Sequence, residues 1–117
     1  VELVLVGGRG WMDDALATRA LAADGVRALG YVADDELPAL YAGARAFVFP
    51  SRYEGFGIPV LEARVAGTAI VASDLPELRE AGGDAATYVP PTREALAAAL
   101  ARAACGALPR SAGGVLP

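Results

Sequence analysis

The chain has 117 residues, enough for one hydrophobic core and too few for two ordinary domains. The net charge is −4 and ten arginines are spread singly from Arg9 to Arg110, which excludes the clustered basic footprint of a nucleic-acid-binding protein. Lysine, histidine, asparagine and glutamine are absent, so Ser-His and Cys-His nucleophile pairs and histidine-ligated metals are excluded within these residues.

Although 55% of the residues are hydrophobic, much of that fraction is alanine, and no apolar run approaches the ~20 residues that span a bilayer. The single cysteine, Cys105, cannot form an internal disulfide. A soluble, cytoplasmic protein is the expectation. The chain begins at Val1 inside an apparent strand, with neither Met nor a leader, and is read as a piece of one domain.

The run Val1 to Val6 predicts a strand that stops at Gly7-Gly8-Arg9-Gly10, and Met12 to Ala23 predicts a helix ending at Gly25. Val26 to Leu29 predicts the second strand. Asp34 or Asp35 then stands where it would cap a helix running to Ala44, with Leu37, Leu40 and Tyr41 on one face. Ala46 to Phe49 is the third strand, followed by a loop from Pro50 to Gly57 and a helix from Ile58 to Ala66, closed by Gly67.

Ala69 to Ala72 predicts a fourth strand, and Asp74-Leu75-Pro76-Glu77 has the spacing of a capping box for a short helix. Thr87 to Val89 is a brief fifth strand. Thr92 then caps an alanine-rich helix to Ala104, with Glu94 in its first turn. Residues 105–117 hold three glycines and two prolines without periodicity and are expected to be an irregular tail beyond the domain of residues 1–104.

Apolar strands alternating with helices predict an α/β, Rossmann-like, doubly wound parallel sheet of about five strands, with Val4, Val6, Phe47, Phe49, Ile70 and Val71 buried. Ligands of such sheets sit beyond the carboxyl ends of the strands. The loops at Gly8, Tyr31, Ser51 to Gly57 and Ser73 are therefore expected to converge.

The most informative segment is Glu54-Gly55-Phe56-Gly57-Ile58-Pro59-Val60-Leu61-Glu62, in which seven residues separate two carboxylates. Pro59 suits a first helical turn, where no amide donor is required. Gly55 and Gly57 permit close backbone approach, and the free amides of a helix start, with its partial positive charge, suit a diphosphate. Glu62 shares a helical surface with Ile58, Leu61 and Val65, where a carboxylate needs donors. Ribose hydroxyls would serve, and so would a structural ion pair with an arginine. A loop carboxylate such as Glu54 is by itself commonly only solvated.

From Gly30 to Leu78 the sequence closely resembles the C-terminal domain of family 4 retaining glycosyltransferases of the GT-B fold, and the resemblance runs from about Val1 to Leu100. The resemblance implies an incomplete nucleotide-sugar-binding domain, acting without a metal or other cofactor. It places Glu54 at the donor sugar as the catalytic carboxylate and Glu62 at the ribose. Backbone groups of Gly55, Phe56, Gly57 and Ile58 would lie near the sugar and phosphates, and Tyr31-Val32 beside the nucleobase. Gly8-Arg9-Gly10 resembles the family's glycine turn. Tyr31 read alone is equally an aromatic packed at a strand end, and Arg9 a solvated loop residue.

The same resemblance implies a nucleoside-diphosphate sugar as donor, and the GGRGW turn is similar to that of mannosyltransferase-like members, pointing to GDP-mannose. A sugar or lipid-linked acceptor would be held by an N-terminal domain outside these residues, with the whole enzyme peripheral at the inner membrane and the isolated chain inactive. The family's arginine and lysine for the diphosphate would also lie outside the chain. Two alternatives stand beside this reading. One is an NAD(P)-binding oxidoreductase domain, against which the third fingerprint glycine is replaced by Asp13. The other is a non-catalytic sugar-nucleotide-binding remnant. The Asp34-Asp35-Glu36 run is assigned to helix capping and not to a metal.

Overall fold

The computed structural model describes residues 2–7, 14–52 and 55–110. The chain forms two compact units that divide after Leu37. In the first, β1 (Leu3–Val6) is followed by α1 (Asp14–Ala22) and β2 (Val26–Gly30). The two strands are parallel, with Leu3 opposite Val26 and a shift between Leu5 and Val6 that sets Val6 against Gly30. Gly25, at φ 79°, makes the turn from α1 into β2, and its carbonyl accepts from the Leu3 amide at 2.7 Å.

Val4 and Val6, expected in the core, are 39% and 41% exposed. Two strands and one helix do not supply enough chain to cover both faces of a ribbon. The helix expected from Asp34 starts later. The amides of Glu36 and Leu37 both bond the Ala33 carbonyl, closing a turn, and α2 runs Leu37–Gly43 with no acidic residue in its first turn. Pro38, at the second helical position, suits that start.

The second unit continues with β3 (Phe47–Phe49), α3 (Ile58–Val65), β4 (Ile70–Ser73), α4 (Pro76–Gly82), a 3-10 turn at Gly83–Ala85, β5 (Ala86–Val89) and α5 (Arg93–Ala104). Its strands form a parallel sheet in the order β3-β4-β5, with Phe47 opposite Ile70 and Ile70 opposite Ala86. The expected single sheet of five parallel strands is thus two parallel sheets, β1-β2 and β3-β4-β5. Periodicity reports which way side chains face, whereas every strand edge offers the same amides and carbonyls, so strand partners are not written in it.

All four residues of β4 are buried. Ile70 and Ala72 pack with Val60 and Ala63 of α3, Leu78 and Ala81 of α4, and Ala86. Val71, with the preceding Ala69, packs on the other side with Ala99 and Ala103 of α5 and with Leu108. Helices therefore cover both faces of this sheet, the arrangement that its apolar strands require. Phe47 and Phe49 are half-buried at the edge of the first cluster.

Thr92 caps α5 as its sequence implies, its hydroxyl accepting from the Ala95 amide at 3.2 Å. Asp74 does not cap α4. The N-cap is Leu75, without a side-chain bond, and the Asp74 carboxylate instead takes two bonds from Arg79, at 2.5 and 3.1 Å. A two-point charge-assisted pair is stronger than one bond to a backbone amide. Beyond α5, Leu108 is buried and Arg110 Nε donates to the Gly67 carbonyl at 3.0 Å. Among the described residues no helix is long and apolar enough to cross a membrane.

Candidate functional site

Because β3, β4 and β5 are parallel and paired in register to Phe49, Ser73 and Val89, the loops that follow them leave one end of the sheet. The segment from Gly55 to Glu62 lies at the end of the first of these loops and in α3. Its pivot is Gly57, the N-cap of α3, at φ 66° and ψ 39°. A side chain there would be strained by the left-handed backbone, and its Cβ would stand 3.0 Å from Leu78 Cδ2 and 3.1 Å from Ala81 Cβ. This glycine brings the loop against α4 and sets the direction in which α3 departs. The Leu61 amide bonds the Gly57 carbonyl at 3.1 Å, and Pro59 occupies the first turn without needing a donor. Gly55 is different: it is exposed, and a Cβ there meets nothing within 4 Å.

Gly57 is buried, while Phe56 and Ile58 on either side are 80% and 56% exposed. Glu62 follows one turn after Ile58 on the same face of α3. That face was expected to be otherwise apolar, so that Glu62 would be costly without donors. It is instead open, since Ile58, Glu62 and Val65 are all exposed. No covering element of the second unit lies over them, and desolvation is not what holds this carboxylate.

Glu62 Oε2 accepts from the Tyr41 hydroxyl at 2.8 Å. This phenol, and not an arginine, is the partner of Glu62 among the described residues. Arg64, two residues on, donates to the Ala81 carbonyl at 3.2 Å. Tyr41 is itself fixed: its ring meets the Phe47 ring edge-on at 5.2 Å, and the buried Thr68 hydroxyl donates to its carbonyl at 2.5 Å. Burial, followed by the hydrogen bond and charge of Glu62, pushes the Tyr41 phenol well above the usual tyrosine range, so it remains a donor. In the sequence Tyr41 shows only as part of the apolar face of α2, and no local signal marks its bond to a residue on another helix.

At the end of the central strand Ser73 is buried, and its Oγ has no partner among the described residues. Beside it the Asp74–Arg79 pair holds the Asp74 carboxyl below its ordinary range, and Arg79 lies over the Tyr88 ring at 4.6 Å. Tyr88 donates to the Gly83 carbonyl at 2.8 Å and fills the space over Gly82, where a Cβ would stand 2.5 Å from its oxygen.

Of the residues singled out from the sequence, the structure thus brings Gly55, Phe56, Gly57, Ile58 and Glu62 into one loop-helix segment. Tyr31 and Val32 follow β2 in the first unit, Tyr31 82% exposed and not packed at its strand end, Val32 half-buried. Gly8, Arg9 and Glu54 lie outside the described residues.

The family described as glycosyl transferases group 1 matches residues 1–105. Among curated proteins, the chain is 49% identical over 92 residues to O-antigen chain mannosyltransferase B of Escherichia coli, covering 76% of this chain and 24% of that protein. It is 38% identical over 98 residues to O-antigen chain mannosyltransferase RfbU of Salmonella typhimurium, covering 80% and 27%. The chain therefore spans about a quarter of the length of these relatives. Among solved structures, sucrose-phosphate synthase from Thermosynechococcus elongatus superposes with a TM-score of 0.69 at 27% identity, over 92% of this chain and 31% of that one. A parallel α/β fold, a glycine-started helix beyond the sheet and a match over nearly the whole length agree with one another: the chain belongs to the glycosyl transferases group 1 family.

Proposed function

We propose that Glu54 to Glu62 is the donor cradle of a retaining, metal-independent hexosyltransferase of family 4, and that it binds a nucleoside-diphosphate sugar. The observation that carries this reading is the geometry of α3. A left-handed glycine turns the loop onto the helix start, and a tethered carboxylate stands one turn below on the same open face. The amides of a first helical turn lack intrahelical partners and carry the positive end of the helix dipole, which suits a diphosphate. Glu62 then accepts from the ribose hydroxyls. Glu54, just before the turn, stands at the sugar, where a carboxylate stabilises positive charge developing on the ring or orients its hydroxyls. Phe56 and Ile58 add exposed apolar surface beside the phosphates. For Tyr31 and Val32 the proposed role is at the nucleobase, and for Gly8 and Arg9 it is in donor binding.

The named mannosyltransferase relatives favour mannose as the sugar transferred, and the donor proposed is GDP-mannose. A sugar or lipid-linked acceptor is held by a domain outside these 117 residues, at the cytoplasmic face of the inner membrane, so the isolated chain carries no transfer activity. Membership of the glycosyltransferase family leaves the oxidoreductase alternative without support.

Calorimetric titration with GDP-, UDP- and ADP-sugars tests the reading. One nucleotide is expected to bind saturably without added metal, and Glu62→Ala is expected to weaken it by roughly 10- to 150-fold, the worth of a charge-assisted hydrogen-bonded group. Unchanged affinity in a folded Glu62→Ala variant, or binding that a chelator abolishes and magnesium restores, would overturn it.

A further inference from the structure

We infer that Tyr41 is a positioning residue for Glu62 and sets the preference of the site for a ribose over a 2′,3′-dideoxyribose. The inference rests on the proposed role of Glu62 at the ribose. Glu62 is exposed, and a free glutamate on an open helix face samples many rotamers. Here one oxygen, Oε2, is held by the Tyr41 hydroxyl at 2.8 Å. The donor is anchored at both ends, its ring against Phe47 and its carbonyl bonded by Thr68, so it cannot follow a swinging carboxylate.

A phenol has one proton, and donating it to Oε2 narrows the rotamers open to the carboxylate. Glu62 is exposed and its bond from Tyr41 engages Oε2, which leaves Oε1 to accept from a ligand. An acceptor held to a narrow range of directions suits a ligand with hydroxyl donors in a fixed arrangement, which in a nucleotide are the 2′ and 3′ hydroxyls of the ribose. A nucleotide lacking both gains nothing from it. The burial that keeps Tyr41 protonated also keeps this arrangement in place through neutral and mildly alkaline pH.

The test is calorimetry on the full-length protein, using the tightest-binding of GDP, UDP and ADP together with its 2′,3′-dideoxy counterpart. Wild type, Tyr41→Phe, Glu62→Ala and the double variant are compared, with folding of each checked by circular dichroism. Phenylalanine keeps the ring on Phe47 and the backbone carbonyl that Thr68 bonds, so the variant removes only the hydroxyl. Tyr41→Phe is expected to weaken the ribonucleotide by roughly 3- to 10-fold and to leave the dideoxynucleotide unchanged. Glu62→Ala is expected to abolish the discrimination, and the double variant to match Glu62→Ala alone, because both residues act through one carboxylate. If Glu62→Ala removes the discrimination but Tyr41→Phe keeps it, or weakens both nucleotides equally, the positioning role is overturned while the ribose site stands. If wild type binds both nucleotides equally, the ribose site itself fails and takes this inference with it.

Discussion

Glu54 and Glu62 bracket one segment, yet the proposed chemistry asks different things of them. In the proposal Glu62 acts on the nucleotide, so its loss should appear in binding. Glu54 is proposed to act where charge develops as the diphosphate leaves, so its loss should appear in transfer. In an enzyme that joins this chain to an acceptor-binding domain, Glu54→Gln is expected to lower kcat by roughly 100-fold or more. Nucleoside-diphosphate affinity should stay within a few-fold. Steady-state transfer and calorimetry on the same preparation check both halves, and near-normal turnover would leave the segment as a nucleotide cradle only. The spacing of the two carboxylates and the glycines between them are readable in the sequence because they fall within nine consecutive residues. Tyr41 is not readable. It lies 21 positions before Glu62, and only the packing of α2 and α3 against β3 brings the phenol to the carboxylate.

At the scale of the element, the start of α3 depends on one of its two glycines far more than on the other. Gly57→Ala places a Cβ in the left-handed region, at about 1–2 kcal/mol, and forces Leu78 and Ala81 aside in a packed cluster, at about 1–3 kcal/mol more. Urea unfolding should show a loss of roughly 2–5 kcal/mol. Gly55→Ala meets open space without a positive φ, and a change within about 0.5 kcal/mol is expected. Equal stability of the two variants would contradict the described entry into α3. Both glycines look alike in the sequence as sites of close backbone approach. What separates them is α4, which packs on one and leaves the other exposed. The same locality explains α4 itself: the four-residue spacing from Asp74 to Glu77 matches a capping box, but Arg79, one turn on, offers a bidentate partner that the spacing rule does not weigh.

At the scale of the molecule, composition makes one measurement unusually clean. The chain has no lysine, which removes the largest competing ionisation from the alkaline range. Burial is the first cause that raises both Tyr41 and Tyr88 above the ordinary tyrosine value of 10.0. As pH climbs past that value, tyrosines of the unfolded chain lose protons before those of the folded chain. The unfolded state then binds fewer protons, and the free energy of unfolding falls. Stability is therefore expected to be full at neutral pH and to decline above about pH 10. Tyr41→Phe should make that decline shallower, since phenylalanine cannot ionise. Thermal melts from pH 7 to 11 check this, and a Tm that stays level to pH 11 in wild type would contradict the burial of both phenols.

The α/β class, the order of the elements, the parallel strands with helices between them, the Thr92 cap and the loop-helix segment ending at Glu62 are all legible in the residues alone. Each of these is carried by residues within a turn or a strand of one another, where side-chain periodicity and backbone preference act directly. Four features come instead from folding: the strands divide into sheets of two and three, Val4 and Val6 are exposed, the face of Glu62 is open, and a tyrosine from another helix holds its carboxylate. These depend on which strand edges pair and on what chain comes to lie against a given face, and the energies that settle them belong to contacts between residues far apart in sequence.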